Sequence, residues 1–158
     1  IIDSIAGQYQ PKAQAKNLTI DYQKMAVAIN VQADEGRVIE IFTNLIDNAV
    51  KYSRQGTIVI THKPAGKILQ TSVRDTGIGM GAKEREKLFS RFYRIKNENT
   101  KDIGGTGLGL WIVKQYVEAM GGQIRVDSLE GVGSEFIVDL PIASSPEPKN
   151  PEPENHNA

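Results

Sequence analysis

Cysteine is absent from this chain of 158 residues, which excludes thiol nucleophiles, zinc–thiolate centres and redox switching and permits a reducing compartment. Histidine is nearly absent. His62 ends an expected strand and His156 lies near the C-terminus, and neither has a partner at metal-ligand spacing or in a recognisable general-base arrangement. Charge of one sign is missing too, since 19 basic residues balance 19 acidic ones. No basic run is interleaved with aromatics, so a nucleic-acid partner is not expected. No apolar stretch approaches the ~20 residues that span a bilayer, and the opening Ile1-Ile2-Asp3-Ser4 is not a signal peptide, so no membrane contact is expected. The chain does not begin with methionine, as expected of a piece excised from a longer protein.

What is present is an ordinary apolar fraction, 39%, sufficient for one domain with a real core. Ile1 to about Tyr9 reads as the tail of a helix, and Pro11 to Lys16 as a further short helical turn, neither with an obvious core. Strands are expected at Leu18 to Tyr22 and, from the alternation of Val27, Ile29 and Val31, at Ala26 to Val31. From Glu35 to Ser53 the residues Val38, Ile41, Phe42, Leu45, Ile46 and Ala49 recur at three- and four-residue spacing, the stripe of an amphipathic helix. Thr57 to His62 and Lys67 to Arg74 form a hairpin about Pro64-Ala65-Gly66. A short charged helix, Lys83 to Lys87, leads into the aromatic cluster Leu88 to Arg94, followed by a polar loop from Lys96 to Gly105. A second long helix begins near Gly107, buries Leu110, Val113 and Val117, and stops at Gly121-Gly122 as a left-handed C-cap does. Gln123 to Asp127 and Glu135 to Leu140 make a last hairpin. Four of the seven prolines fall between Pro146 and Pro153, so residues 143–158 are expected to be a disordered tail or linker. The order of elements predicts an α+β fold, a two-layer sandwich of a mixed sheet with helices on one face.

Three segments carry chemistry in combination. Asn44 and Asn48 project from the polar face of the first long helix, with Lys51 and Tyr52 one turn on. Their amide oxygens suit Mg²⁺ when phosphates supply the charge; alternatively this is a solvated helix face. Asp75 closes a strand ahead of Thr76-Gly77-Ile78-Gly79, where a carboxylate can accept from an exocyclic amine of adenine and glycine permits close backbone approach, or where the chain simply turns. Gly105, Gly107 and Gly109 open the second helix, as a phosphate cradle or as a flexible connector. The spacing is not that of a P-loop, because Lys114 lies well inside the helix, nor of a dinucleotide fingerprint, because a polar loop precedes it. Arg91 and Arg94, among Phe89, Phe92 and Tyr93, are further candidates for a phosphate. Together the three segments point to a nucleotide.

Taken in order, these segments resemble the catalytic ATP-binding domain of sensor histidine kinases, in the wider Bergerat-fold group that includes DNA gyrase and a heat-shock chaperone. Asn44 to Tyr52 resembles its asparagine box, Asp75 to Gly79 and Gly105 to Leu110 its two glycine boxes, and Leu88 to Arg94 its phenylalanine box. The resemblance implies that Asn48 ligates Mg²⁺, with Asn44 close to the phosphates and Lys51 binding them. Tyr52 would stack near adenine, Asp75 would take its amine, and Gly77 and Gly79 would shape the base pocket. Arg94 would approach the terminal phosphate, and Gly105, Thr106, Gly107, Leu108 and Gly109 would form the cradle and the hinge of a lid, residues 96–105. Ser134, in the closing hairpin, would lie near nucleotide. Residues 1–14 would end an upstream dimerisation hairpin and its linker, and 15–142 would form the ATP-binding domain. The acceptor histidine would sit on that hairpin, outside this chain, and a response regulator would be reached through the parent kinase, cytoplasmic or anchored to a membrane. The alternatives are an ATP-hydrolysing clamp or topoisomerase-type module, which would place a glutamate general base where Asn44 stands, and a non-catalytic nucleotide-binding module.

Overall fold

The computed structural model describes residues 1–144. Among them the chain runs α1 (Ile2–Gln14), β1 (Leu18–Tyr22), α2 (Glu35–Tyr52), β2 (Gly56–Ala65), β3 (Ile68–Arg74), α3 (Ala82–Lys87), α4 (Gly109–Ala119), β4 (Gln123–Leu129) and β5 (Gly133–Pro141). The strands form one mixed sheet in the order β1-β2-β3-β5-β4. Only β1 and β2 are parallel, with Leu18 opposite Gly56 and Tyr22 opposite Ile60. A parallel pair needs a crossover, and α2 supplies it. The other three pairings are antiparallel: the two expected hairpins, β2–β3 and β4–β5, and the long-range pair β3–β5.

The core lies between the sheet and its helical layer. Ile58 and Ile60 of β2, Val73 of β3 and Val138 of β5 point to it from alternate strand positions. They meet Ile41, Phe42, Leu45, Ile46 and Val50 of α2 and Val113 and Val117 of α4, all buried. The α2 stripe is thus the one its spacing predicts. Asp34 caps the helix, accepting from the Arg37 N–H at 2.8 Å. The opposite face of the sheet is polar, with Thr61 Oγ1 2.9 Å from Ser72 Oγ and Arg125 paired with Asp139 at 2.5 Å.

Several expectations need correction. No strand forms at Ala26 to Val31: Val31 alone makes an isolated bridge, to Ile142, and Val27 is 72% exposed. Only the end of the segment meets the sheet, where the Gln32 N–H donates to the Pro141 carbonyl and the Ala143 N–H to the Asn30 carbonyl, each at 2.9 Å, so the pairing stops at that single bridge. Ile1 to Lys16 is not two helical pieces without a core but one helix, Ile2–Gln14, running through Pro11. An internal proline costs a helix about 3 kcal/mol, and here Ile5, Ala6 and Ala13 are buried in the common core on either side of it. The first hairpin turns one residue later than expected, with Ala65 still paired to Ile68. The second long helix starts at Gly109, and Leu110 is half-buried rather than buried, at the edge of a cavity. The C-cap at Gly121, φ +72°, is as expected. From residue 145 onward the expected tail lies outside the described residues.

Candidate functional site

A cavity of 320 Å³ opens between α2, the end of β3, the start of β5 and the loop that leads into α4. Of the residues singled out by sequence, Asn44, Asn48, Lys51, Tyr52, Asp75, Gly79, Arg94, Gly105, Thr106, Gly107, Gly109 and Ser134 line it. Gly77 and Leu108 do not. Gly77 borders an adjoining cavity of 370 Å³ that shares Tyr52, Ile78 and Gly79, and Leu108 is the N-cap residue of α4.

One end of the cavity is built on Asp75, which leaves β3 buried. Its Oδ1 accepts from the Gly77 N–H at 2.8 Å and the Ser134 N–H at 3.3 Å. The Asp75 N–H donates in turn to the Ser134 carbonyl, 2.8 Å. Both side-chain bonds fall on one oxygen, leaving Oδ2 for the cavity. Burial raises the pKa of this carboxyl, against the lowering effect of the two backbone N–H groups. The wall beside it is main chain. A Cβ on Gly77 would come within 2.6 Å of the Tyr52 carbonyl oxygen, and one on Gly79, φ +62°, would overlap the Leu129 carbonyl. Ile78 and Leu88, which fall within quoted motifs but were given no role, complete an apolar lining with Met80, Ile95 and Phe136.

The other end is polar. Asn44 Nδ2 donates to the Glu40 carbonyl at 2.9 Å, which turns Oδ1 toward Gly109, where a Cβ would lie only 2.6 Å away. Gly107, φ +75°, leaves no room for a Cβ against the Phe92 backbone at 2.7 Å, and the Phe92 N–H donates to the Gly107 carbonyl, 2.9 Å. The first N–H groups of α4 have no intrahelical partner and open beside these glycines. Arg94 donates to the Ile103 carbonyl, tying one side of the polar loop to the other. That loop is organised by buried Thr100, whose Oγ1 donates to the Ile95 carbonyl at 2.7 Å and accepts from the Asn97 N–H at 2.9 Å. Arg91 stays away from the cavity, stacked 4.6 Å over the Trp111 ring and 5.6 Å over Phe92. Phe92 is 68% exposed with φ +61°.

Asp47, also lining the cavity, was not foreseen. Its Oδ2 pairs with Lys51 at 2.5 Å and its Oδ1 with Lys12 of α1 at 2.6 Å. Burial raises its pKa, but the two lysines more than offset this and hold it below the usual carboxylate value. The spacing of Asp47 and Lys51 makes one bond legible; Lys12 is too far away in sequence to suggest the other.

The model of the histidine kinase-, DNA gyrase B-, and HSP90-like ATPase family matches residues 33–144, and the chain belongs to that family. The sensor histidine kinase WalK of Bacillus subtilis is 42% identical over 120 residues, 74% of this chain. The chain spans 20% of WalK's length. Full-length ShkA in complex with AMPPNP superposes with a TM-score of 0.80 at 31% identity, covering 91% of this chain and 30% of that one. The nucleotide-free catalytic domain of the histidine kinase ThkA gives 0.76 at 27% identity, over 89% of this chain and 90% of that domain. The mixed α+β sandwich is that of histidine kinase catalytic domains.

Proposed function

We propose that this chain is the ATP-binding catalytic domain of a sensor histidine kinase, which binds Mg-ATP and delivers the terminal phosphate to a histidine on a separate helical hairpin. The observation that carries the reading is the held carboxylate of Asp75: one oxygen fixed by two backbone N–H groups, the other facing a cavity whose far end gathers Asn44, Asn48, Lys51 and Arg94. A flat base with an exocyclic amine fits the first end, and Gly77 and Gly79 keep the wall close to it. Tyr52 stacks beside adenine and Ser134 sits next to the Asp75 carboxylate.

At the polar end Lys51, Arg94, Thr106 and the backbone of Gly105, Leu108 and Gly109 bind the phosphates. Mg²⁺ fits the donors: no group of three His, Cys, Asp or Glu among the described residues could hold a metal alone, while neutral amides suit an ion that arrives with phosphate oxygens. Asn48 would hold it, with Asn44 beside it. The ion neutralises phosphate charge when bound. Kinase chemistry is favoured over hydrolysis by what stands near the phosphates. Asn44 cannot accept a proton from water, and Asp47, the carboxylate at that end, is held by two lysines. The nucleophile comes from elsewhere: His62 is engaged at both ring nitrogens by Thr71 and Tyr22, and neither His62 nor His156 stands in the helical His-Glu/Asp setting of an acceptor. Residues 1–14 then end the upstream hairpin, 15–142 form the catalytic domain, and a response regulator receives the phosphate through a parent kinase whose catalytic part is cytoplasmic.

Calorimetry with ADP tests the reading. Binding in Mg²⁺ should weaken in chelator, and Asp75→Ala should weaken it by about one to two powers of ten. A folded wild type that binds no ADP, or an Asp75→Ala variant of unchanged affinity, overturns the assignment.

A further inference from the structure

The phosphate end contains a charge arrangement that reaches outside the cavity. Asp47 puts a negative charge where phosphates would lie, and its ion pair cancels much of the attraction Lys51 offers them. The second lysine changes the sum. Lys12, from α1 and outside the cavity lining, takes Asp47 Oδ1 at 2.6 Å while Lys51 takes Oδ2 at 2.5 Å, so two cations share one carboxylate and the three groups together carry a net positive charge. Asp47 is only 18% exposed, while Lys12 and Lys51, 53% and 39% exposed, are partly screened by solvent, which keeps the effect to a few-fold. The turn that follows α1 is tied to α2 at the same level, Lys16 Nζ donating to the carbonyls of Val50 at 2.5 Å and Lys51 at 3.0 Å, and within α1 Lys12 Nζ lies 5.4 Å over the Tyr9 ring. None of Tyr9, Lys12 and Lys16 lies within residues 33–144, the part that matches the family model.

We propose that Lys12 is a positioning residue for the phosphate end: by neutralising Asp47 from outside the cavity it frees the charge of Lys51, so that affinity for the nucleotide's phosphates depends on α1 being docked. The inference rests on the nucleotide reading above. Undocking α1 would return Lys51 to Asp47 alone and weaken phosphate binding while leaving the base end untouched.

The test is NMR titration of the isotope-labelled chain with ADP and with adenosine, in Mg²⁺, for the wild type, Lys12→Met, Lys12→Arg and the double variant Lys12→Met/Asp47→Asn. Lys12→Met should weaken ADP about fivefold and leave adenosine within about twofold. Lys12→Arg should keep wild-type affinity, and the double variant should recover it, because the charge that Lys12 balances is gone. Unchanged ADP affinity in Lys12→Met, equal losses for ADP and adenosine, or a double variant no better than Lys12→Met would each overturn the proposal and leave Lys12 a packing residue. A folded wild type that binds neither ligand would instead remove the nucleotide reading beneath it.

Discussion

Asp75 is a buried titratable group and His62 a half-buried one, and their surroundings set them to opposite uses. Asp75 keeps one oxygen available to the cavity, whereas His62 spends Nδ1 on Thr71 Oγ1 at 2.9 Å and Nε2 on the Tyr22 hydroxyl at 3.1 Å. Burial holds the His62 imidazole below its ordinary pKa. The native state therefore binds fewer protons than the unfolded chain just below the ordinary value of about 6.5. Its contribution to stability is complete above that value, falls as pH drops toward the depressed native one, and falls no further below it. Urea midpoints between about pH 8 and pH 5.5 should drop more for the wild type than for His62→Gln; parallel curves would show the ring to be protonated without penalty. At this scale the site was legible wherever chemistry is local. Asp75 stands at a strand end before two glycines, and Asn44, Asn48 and Lys51 share a helix face. Lys12 on Asp47 was illegible, as was the apolar wall of Met80 and Ile95, because only tertiary packing brings them together.

Among elements, α2 is the piece from which both core and site are built. Its periodic stripe faces the sheet and its other face lines the cavity, so the long helix and the cavity-facing residues were readable from one pattern. The helix ends at Ser53, fully buried, whose N–H donates to the Ala49 carbonyl at 3.2 Å while its Oγ has no partner. A buried hydroxyl without a partner is costly, so Ser53→Ala should raise unfolding free energy by about 1 kcal/mol, measured as a higher denaturant midpoint at unchanged slope. A lower midpoint would mean that the hydroxyl is satisfied by bound water. Elements misread from sequence share a physical cause. The Ala26 to Val31 segment alternates like a strand but meets the sheet only at the Val31–Ile142 bridge, and α1 contains a proline yet continues, because its buried residues lie on both sides of Pro11. Periodicity registers which face is apolar; it does not register whether a partner surface exists.

For the molecule as a whole, the order of motifs along the chain predicted one site, and the sheet order explains why they converge. β5 lies between β3 and β4, so the residues after β3 meet the start of β5 directly, as in the bond from the Asp75 N–H to the Ser134 carbonyl. On the proposed reading the chain binds the nucleotide and the acceptor comes from elsewhere. Incubated with radiolabelled ATP, it should remain unlabelled and release little phosphate. Adding its parent's helical hairpin as a separate polypeptide should bring label onto that hairpin's histidine. Rapid ATP turnover without the hairpin would favour the hydrolytic relatives.

The β4–β5 hairpin also has a practical use. Its tip is tied to the base wall by the Gly131 N–H donating to the Ile78 carbonyl at 2.7 Å, while the Val132 side chain beside it is 62% exposed. In a chain that contains no cysteine, Val132→Cys provides a single thiol for a fluorophore, placed at the surface yet one hydrogen bond from the pocket. The molecule is thus ready to be converted into an optical reporter of its own occupancy, with no background labelling to remove.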